Sequence, residues 1–169
     1  MIRVYNVHER RFNVARERVG ALLDGLASGA DRLWPSAAWP RMRLDRPLQV
    51  GAIGGHGPIR YHVEMYEPGS RVRFRLNAPR GFVGFHGFEI VPTDGKGTTL
   101  RHVLEMNARG PAMFTWPFVF SALHDALVED CLDTAARQLG EVCPPRKWSW
   151  VRVLREGFQL LKRRHSLAA

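Results

Sequence analysis

Cysteine is scarce in this chain of 169 residues: there are two, Cys131 and Cys143, far apart and outside any metal-ligand spacing. That excludes a disulfide framework, argues against a structural zinc site, and fits a reducing cytosol. No run of ~18 apolar residues occurs, so no segment is expected to span a membrane. The N-terminal MIRVYNVHERRF lacks the apolar stretch and cleavage site of a secretory signal, so export by that route is not expected. Paired catalytic carboxylates and a nucleophile motif are missing. GAIGGHG has glycines but not the strand–GxGxxG–helix context of a phosphate loop, so it reads as a connection, with room for a short strand.

Acidic residues are also few, 16 against 25 Lys and Arg, for a formal charge of +9. Most of that excess lies in residues 146–169. Arg146, Lys147, Arg152, Arg155, Lys162, Arg163 and Arg164 face Glu156 alone there, which leaves +3 for the rest. The basicity therefore belongs to the tail and says little about the main domain.

What is present reads as strand, helix, meander and helix. IRVYNVHERRF has strand content, and Asn13 is placed to cap a helix with Val19, Leu22, Leu23 and Leu26 as its apolar stripe. A second short helix is expected around Asp31-Arg32-Leu33-Trp34. Strands are expected near 41–50, 57–66, 70–78, 82–92 and 98–108, with Pro68-Gly69 and Asp94-Gly95 as tight turns. Alternation puts Arg71, Arg73 and Arg75 on a wet face without interleaved aromatics, opposite Val72, Phe74 and Leu76. It also groups Ile59, Tyr61, Val63 and Met65. From Phe118 to Leu139 a long helix is expected, with Pro117 in its first turn and Gly140 just past its end. Trp116, Phe120, Leu123, Leu127 and Cys131 form its apolar face. Glu129, Asp130 and Asp133 read as solvated.

This order resembles the helix-grip fold of the START-type superfamily (SRPBCC), close to its polyketide cyclase/dehydrase-like members. RRFNVARERVGALL, YHVEMYEPGSRVRFRL, GTTLRHVLEM and LHDALVEDCLDTAARQLG carry the resemblance, over roughly residues 2–140. It implies an α+β domain over 1–142: a curved antiparallel sheet wrapped around a long C-terminal helix, with two short helices after the first strand. It implies a cavity between sheet and helix for a hydrophobic molecule such as a lipid, isoprenoid, quinone or polyketide-like aromatic. Some members are enzymes and many only bind or carry.

Two strands each carry one histidine among apolar residues. His86 shares parity with Phe88 and Ile90, and His102 with Leu100, Leu104 and Met106. Phe85 and Phe82 compete with Phe88 for the inward face, and a bulge at Gly84 or Gly87 would flip the register. His124 lies four residues after Phe120. A lone histidine on an apolar face is ordinarily a core residue. Three that converge point to a ligand cavity. The expected ligand contacts are Tyr61, Phe74, His86, Phe88, His102, Leu104, Met106 and His124. The alternative is a cyclase/dehydratase-type enzyme using a cavity histidine as general acid/base. His124 and Asp125, adjacent on a helix, are not expected to hold each other. No HxH or HxxxH spacing occurs and the resemblance implies no metal, so neither metal nor cofactor is expected.

Residues 146–169 read as a separate basic amphipathic helix. Trp148, Val151, Phe158 and Leu161, with Lys162 and Arg163, suit a membrane interface. The same stripe suits packing on the domain or on a second copy. The expected partners are thus a hydrophobic small molecule, a membrane surface peripherally, or a homodimer mate. Nucleic acid is not expected, and the expected location is the cytoplasm, extending to the inner face of the membrane.

Overall fold

The computed structural model describes residues 1–91, 93 and 97–143. The expectations for 146–169 and for the turn at 94–95 lie outside the described residues. Seven antiparallel strands form one curved sheet in the order β1-β7-β6-β5-β4-β3-β2. They are β1 (Ile2–Phe12), β2 (Arg43–Leu44), β3 (Ile53–His56), β4 (Ile59–Glu67), β5 (Arg71–Ala78), β6 (Phe82–Val91) and β7 (Thr98–Ala108). Helix α1 (Arg16–Asp24) follows β1. After β7 the chain enters α2 (Ala112–Thr115), a π-helical turn (Trp116–Phe120) and the long α3 (Ser121–Leu139). Gly140 ends α3 at φ 79°, the left-handed conformation expected of it.

Apolar burial explains the layering. Leu127, Val128, Cys131, Leu132, Ala135, Ala136 and Leu139 recur at helical spacing and press α3 onto Phe74, Phe88, Ile90 and Leu100 of the sheet. The stripe of α1 joins the same cluster through Val19, Leu22, Leu23 and Leu26. A second cluster gathers Val4, Leu76, Phe82, Leu104, Met106 and Trp116 at the other end of the concave face. Pro117 lies in the turn between α2 and α3. It has no N–H to give the helical ladder, and the chain there widens by one residue per turn.

Several local expectations are corrected. Asp31–Trp34 is a turn, not a helix. The Asp31 carboxylate accepts the N–H groups of Ala27, Leu33 and Trp34 at 2.9, 3.0 and 2.9 Å, and Pro35 follows. Such side-chain capture of backbone donors competes with helix formation. Of the strand expected over 41–50, only Arg43–Leu44 forms. Asp45 turns the chain by accepting the N–H of Ile53 at 2.8 Å, and Pro47 cannot donate to a ladder. The α1 cap is Ala15 rather than Asn13, with no side-chain hydrogen bond. Met65 leaves the face of Tyr61 and Val63. A register shift between Val63 and Met65 pairs it with Arg73 on the outer side and turns Tyr66 inward. Strand β6 pairs with β7 from Phe82 to Val91 without a shift, so neither Gly84 nor Gly87 flips it. Phe85 therefore faces outward. The Arg73 guanidinium lies 4.0 Å from its ring centroid, so the arginine face does hold an aromatic.

A histidine-walled cavity and its polar seam

Where the two core clusters meet, a cavity of about 230 Å³ remains between sheet and α3. Of the residues expected at a ligand, Phe74, His86, Phe88, His102, Leu104 and His124 form its wall. Tyr61 and Met106 point the same way but stand behind it in the packed core. Trp116, Phe120, Leu123, Leu127 and Cys131 close the helix side. Trp34, Trp39 and Pro40, from the turns after α1, and Gly57 and Pro58 of the β3–β4 hairpin complete the lining.

The register explains how the histidines meet. His86 pairs with Leu104 and His102 with Phe88, so the two imidazoles are diagonal neighbours on the concave face. Their ring centroids lie 5.6 Å apart, with His102 Nε2 at 3.4 Å from His86 Nδ1. His124 approaches from α3 to 5.1 Å of His102. His86 stacks on Phe74 at 5.3 Å, and the Phe88 edge meets His102 at 4.8 Å.

Two further histidines extend the row. His56, at the end of β3, sits 6.5 Å from His86, 3.2 Å from the Tyr61 hydroxyl through Nδ1, and 4.7 Å from the Trp34 ring. The glycine-rich segment read as a connection is thus a strand that delivers a cavity residue. Gly54 and Gly55 let it pass: a Cβ on either would lie within about 2 Å of a carbonyl oxygen of Arg43 or Ile59. His8 was legible by parity, since it shares a face of β1 with buried Val4 and Phe12. It stands opposite His102 and 6.2 Å from His124.

Charge divides the row. Burial pushes His86 and His102 well below the usual imidazole value and His56 down to about 4. Burial lowers His124 also, against the pull of Asp125. His8 is the opposite case: hydrogen bonds to Asp125 and then Glu129 raise it to about 9. At pH 7 the cavity imidazoles are neutral and His8 is charged. Burial drives the Tyr61 phenol up, so it also stays neutral.

Outside the cavity, β1 meets α3 along a polar seam. Asn6 and His8 reach Asp125, His8 reaches Glu129, and Arg10 reaches Glu129 and Asp133. The acidic residues expected to be solvated are therefore engaged: Glu129 and Asp133 pair with β1, Asp133 is buried, and Asp130 accepts the Trp39 indole N–H at 2.6 Å from the turns after α1. His124 Nδ1 lies 3.5 Å from Asp125 Oδ1. The two neighbours do approach, because the carboxylate turns toward the seam that His8 shares.

A seven-stranded antiparallel sheet curved round one long C-terminal helix, with a cavity between them, decides the architecture. This is the helix-grip fold. Norcoclaurine synthase from Thalictrum flavum, in complex with dopamine and hydroxybenzaldehyde, has it too. That chain is 12% identical with a TM-score of 0.63, the match covering 85% of this chain and 90% of that one. A protein from Thermobifida fusca solved by NMR is 14% identical at a TM-score of 0.60, covering 84% and 99%. Ara h 8.0201 is 9% identical at 0.59, covering 82% and 99%. At these identities the likeness establishes the fold. No family model and no curated protein matches the sequence. Among the described residues no helix of this helix-grip domain is long and apolar enough to cross a membrane.

The surface facing the helix-grip cavity is almost all carbon. His86 Nε2, His102 Nδ1 and His124 Nε2 are buried and have no hydrogen-bond partner among the described residues. Half-turns about χ2 exchange Nδ1 with Cδ2 and Nε2 with Cε1, so each ring can turn a nitrogen or a carbon edge without leaving its plane.

Proposed function

We propose that the cavity binds a small, mainly apolar molecule of one or two rings, oriented by the neutral imidazoles of His86, His102 and His124. The observation that carries this reading is a cavity of about 230 Å³ walled by three imidazoles, each with a buried ring nitrogen that has no partner among the described residues and that a ring rotation can turn toward the cavity. A void of roughly 150 Å³ accepts benzene, and drug-sized ligands use about 300–1,000 Å³. That range favours a substituted ring or fused pair, such as a quinone or a short polyketide-like aromatic, over a sterol or a two-chain lipid. The Thalictrum enzyme of the same fold holds dopamine and hydroxybenzaldehyde, aromatics of this size class. Buried nitrogens without partners cost about 1–3 kcal/mol each, so a ligand hydroxyl or carbonyl that engages one recovers part of that cost.

Binding is favoured over acid–base catalysis because an efficient general base has a pKa near the working pH. His86 and His102 lie well below it. One observation supports the enzyme reading: His124, on the wall, has the Asp125 carboxylate at 3.5 Å to orient it. A cyclase/dehydratase-type enzyme would lose turnover and keep affinity when a cavity histidine becomes Gln.

The test is a titration with 2-naphthol and with naphthalene, followed by fluorescence. Both should saturate at one site, with naphthol the tighter. Leu127→Trp fills the cavity and should abolish both. His86→Phe should keep naphthalene and reduce the preference for naphthol about 5–10-fold, the worth of one hydrogen bond. Non-saturable binding that Leu127→Trp leaves unchanged would overturn the proposal.

A further inference from the structure

The polar seam beside the cavity holds a second constellation that the ligand reading does not use. His8 on β1 and His124 and Asp125 on α3 each offer one ligand atom, and the three atoms lie within 4.8 Å of one another. Asp125 Oδ1 stands 3.2 Å from His8 Nε2 and 3.5 Å from His124 Nδ1. In a tetrahedral site with metal–ligand bonds of about 2.0–2.1 Å, neighbouring donors lie about 3.3–3.4 Å apart. Two of the three spacings are therefore close to those of first-row metal ligands, and the third, between the two imidazoles, is within 4.8 Å.

The surroundings support the same reading. His8 Nδ1 is held at 2.7 Å by Glu129, whose other oxygen accepts from Arg10 at 3.0 Å. A carboxylate on the far nitrogen of a ligating imidazole fixes the ring's orientation, and a metal at Nε2 displaces to solvent the proton that this nitrogen shares with Asp125. Asn6 donates to Asp125 Oδ1 at 3.0 Å, and its own Oδ1 is buried with no partner among the described residues. The Asp125 side chain is 43% exposed, so an ion can enter from solvent and keep a water ligand.

The geometry points to a divalent transition-metal site of zinc type, with His8 Nε2, His124 Nδ1 and Asp125 Oδ1 as protein ligands and at least one position open to water. Two imidazoles and one carboxylate are a borderline donor set that suits Zn²⁺ or Co²⁺ better than Ca²⁺ or Mg²⁺. Glu129 is a positioning residue that acts through His8. The spacing is invisible in the chain because His8 comes from the opposite end of the sequence, 116 residues before His124. His124 belongs to both places, so a bound ion sits one imidazole away from the cavity.

The test uses the full chain, stripped with a chelator and dialysed, then titrated with Co²⁺ under visible absorption and with Zn²⁺ in competition. One Co²⁺ per chain should give the intense bands of a low-coordinate nitrogen–oxygen site, and Zn²⁺ should bleach them. His8→Gln and Asp125→Asn, checked for fold by far-UV circular dichroism, should abolish the bands. Glu129→Gln should weaken binding about 10–100-fold. His62→Gln, on the outer face of β4, should change nothing. The proposal is overturned if the wild-type chain shows no Co²⁺ bands, or if equal bands persist in His8→Gln and Asp125→Asn.

Discussion

Replacing His86 by Phe should make the protein more resistant to acid, and the size of the effect follows from burial. His86 is enclosed by Phe74, Tyr61, His56 and His102, and burial holds it neutral well below its ordinary 6.5. Unfolding returns it to water. Below pH 6.5 the unfolded chain then takes up a proton that the native chain refuses. A lowered native pKa of this kind leaves stability whole above 6.5 and removes it as pH falls. Each pH unit costs about 1.4 kcal/mol per such histidine. From pH 6.5 down to pH 5 the loss at His86 is about 2 kcal/mol. Phe has no proton to take, and it can stack on Phe74 in the same slot. The lost contact to His102 Nε2 is a constant offset at both ends of the range. Urea unfolding at pH 7.5 and pH 5 reads the difference directly. With a slope near 2 kcal/mol per M for a domain of this size, the two midpoint-against-pH curves should diverge by about 1 M. His56, lowered to about 4, adds an equal slope to wild type and variant alike, so it cancels. Parallel curves for the two proteins would refute the reasoning, because they would mean that His86 titrates in the native state as it does in water.

Three more outcomes are expected. Gly20→Ala should cost about 1–3 kcal/mol in thermal unfolding, because a Cβ at Gly20 would stand 2.9 Å from the Gly69 Cα in the β4–β5 turn. Asp31→Ala should cost about 1–2 kcal/mol by leaving three backbone donors unanswered, whereas Asp31→Asn, which keeps an acceptor, should cost less than half of that in the same melt. Deleting 146–169 separates the two readings of the tail: a packing element predicts a lowered melting temperature with vesicle binding unchanged, and a membrane adaptor predicts loss of co-sedimentation with anionic vesicles while the 1–142 domain melts as before.

The inward parity of His86, His102 and Tyr61 was legible because a strand has a period of two and apolar neighbours mark its buried side. The end of α3 was legible because Gly140 takes a conformation other residues resist. Met65 was misplaced because a bulge is a property of two strands, and nothing within β4 announces where β5 forces it. The helix expected at Asp31–Trp34 failed for a related reason. Whether Asp31 caps a helix or captures a turn depends on where Pro40 and the Trp34 indole, which donates to its carbonyl at 3.0 Å, are anchored. The acidic face of α3 looked solvated because helical spacing shows which residues share a face, not what lies opposite it.

By itself, the sequence determined the layer order, the inward faces of β5 and β7, the stripe of α3 and the concentration of basic charge beyond residue 145, whereas the inward face of β6 waited on its unshifted register with β7. These are consequences of local periodicity and composition, which any window of the chain displays. The tertiary structure alone decided that His56 joins His86, that His8 crosses to His124 and Asp125, and that a void survives where the two clusters meet. Those facts depend on register, curvature and the volume left between packed surfaces, and each is set by residues distant in sequence.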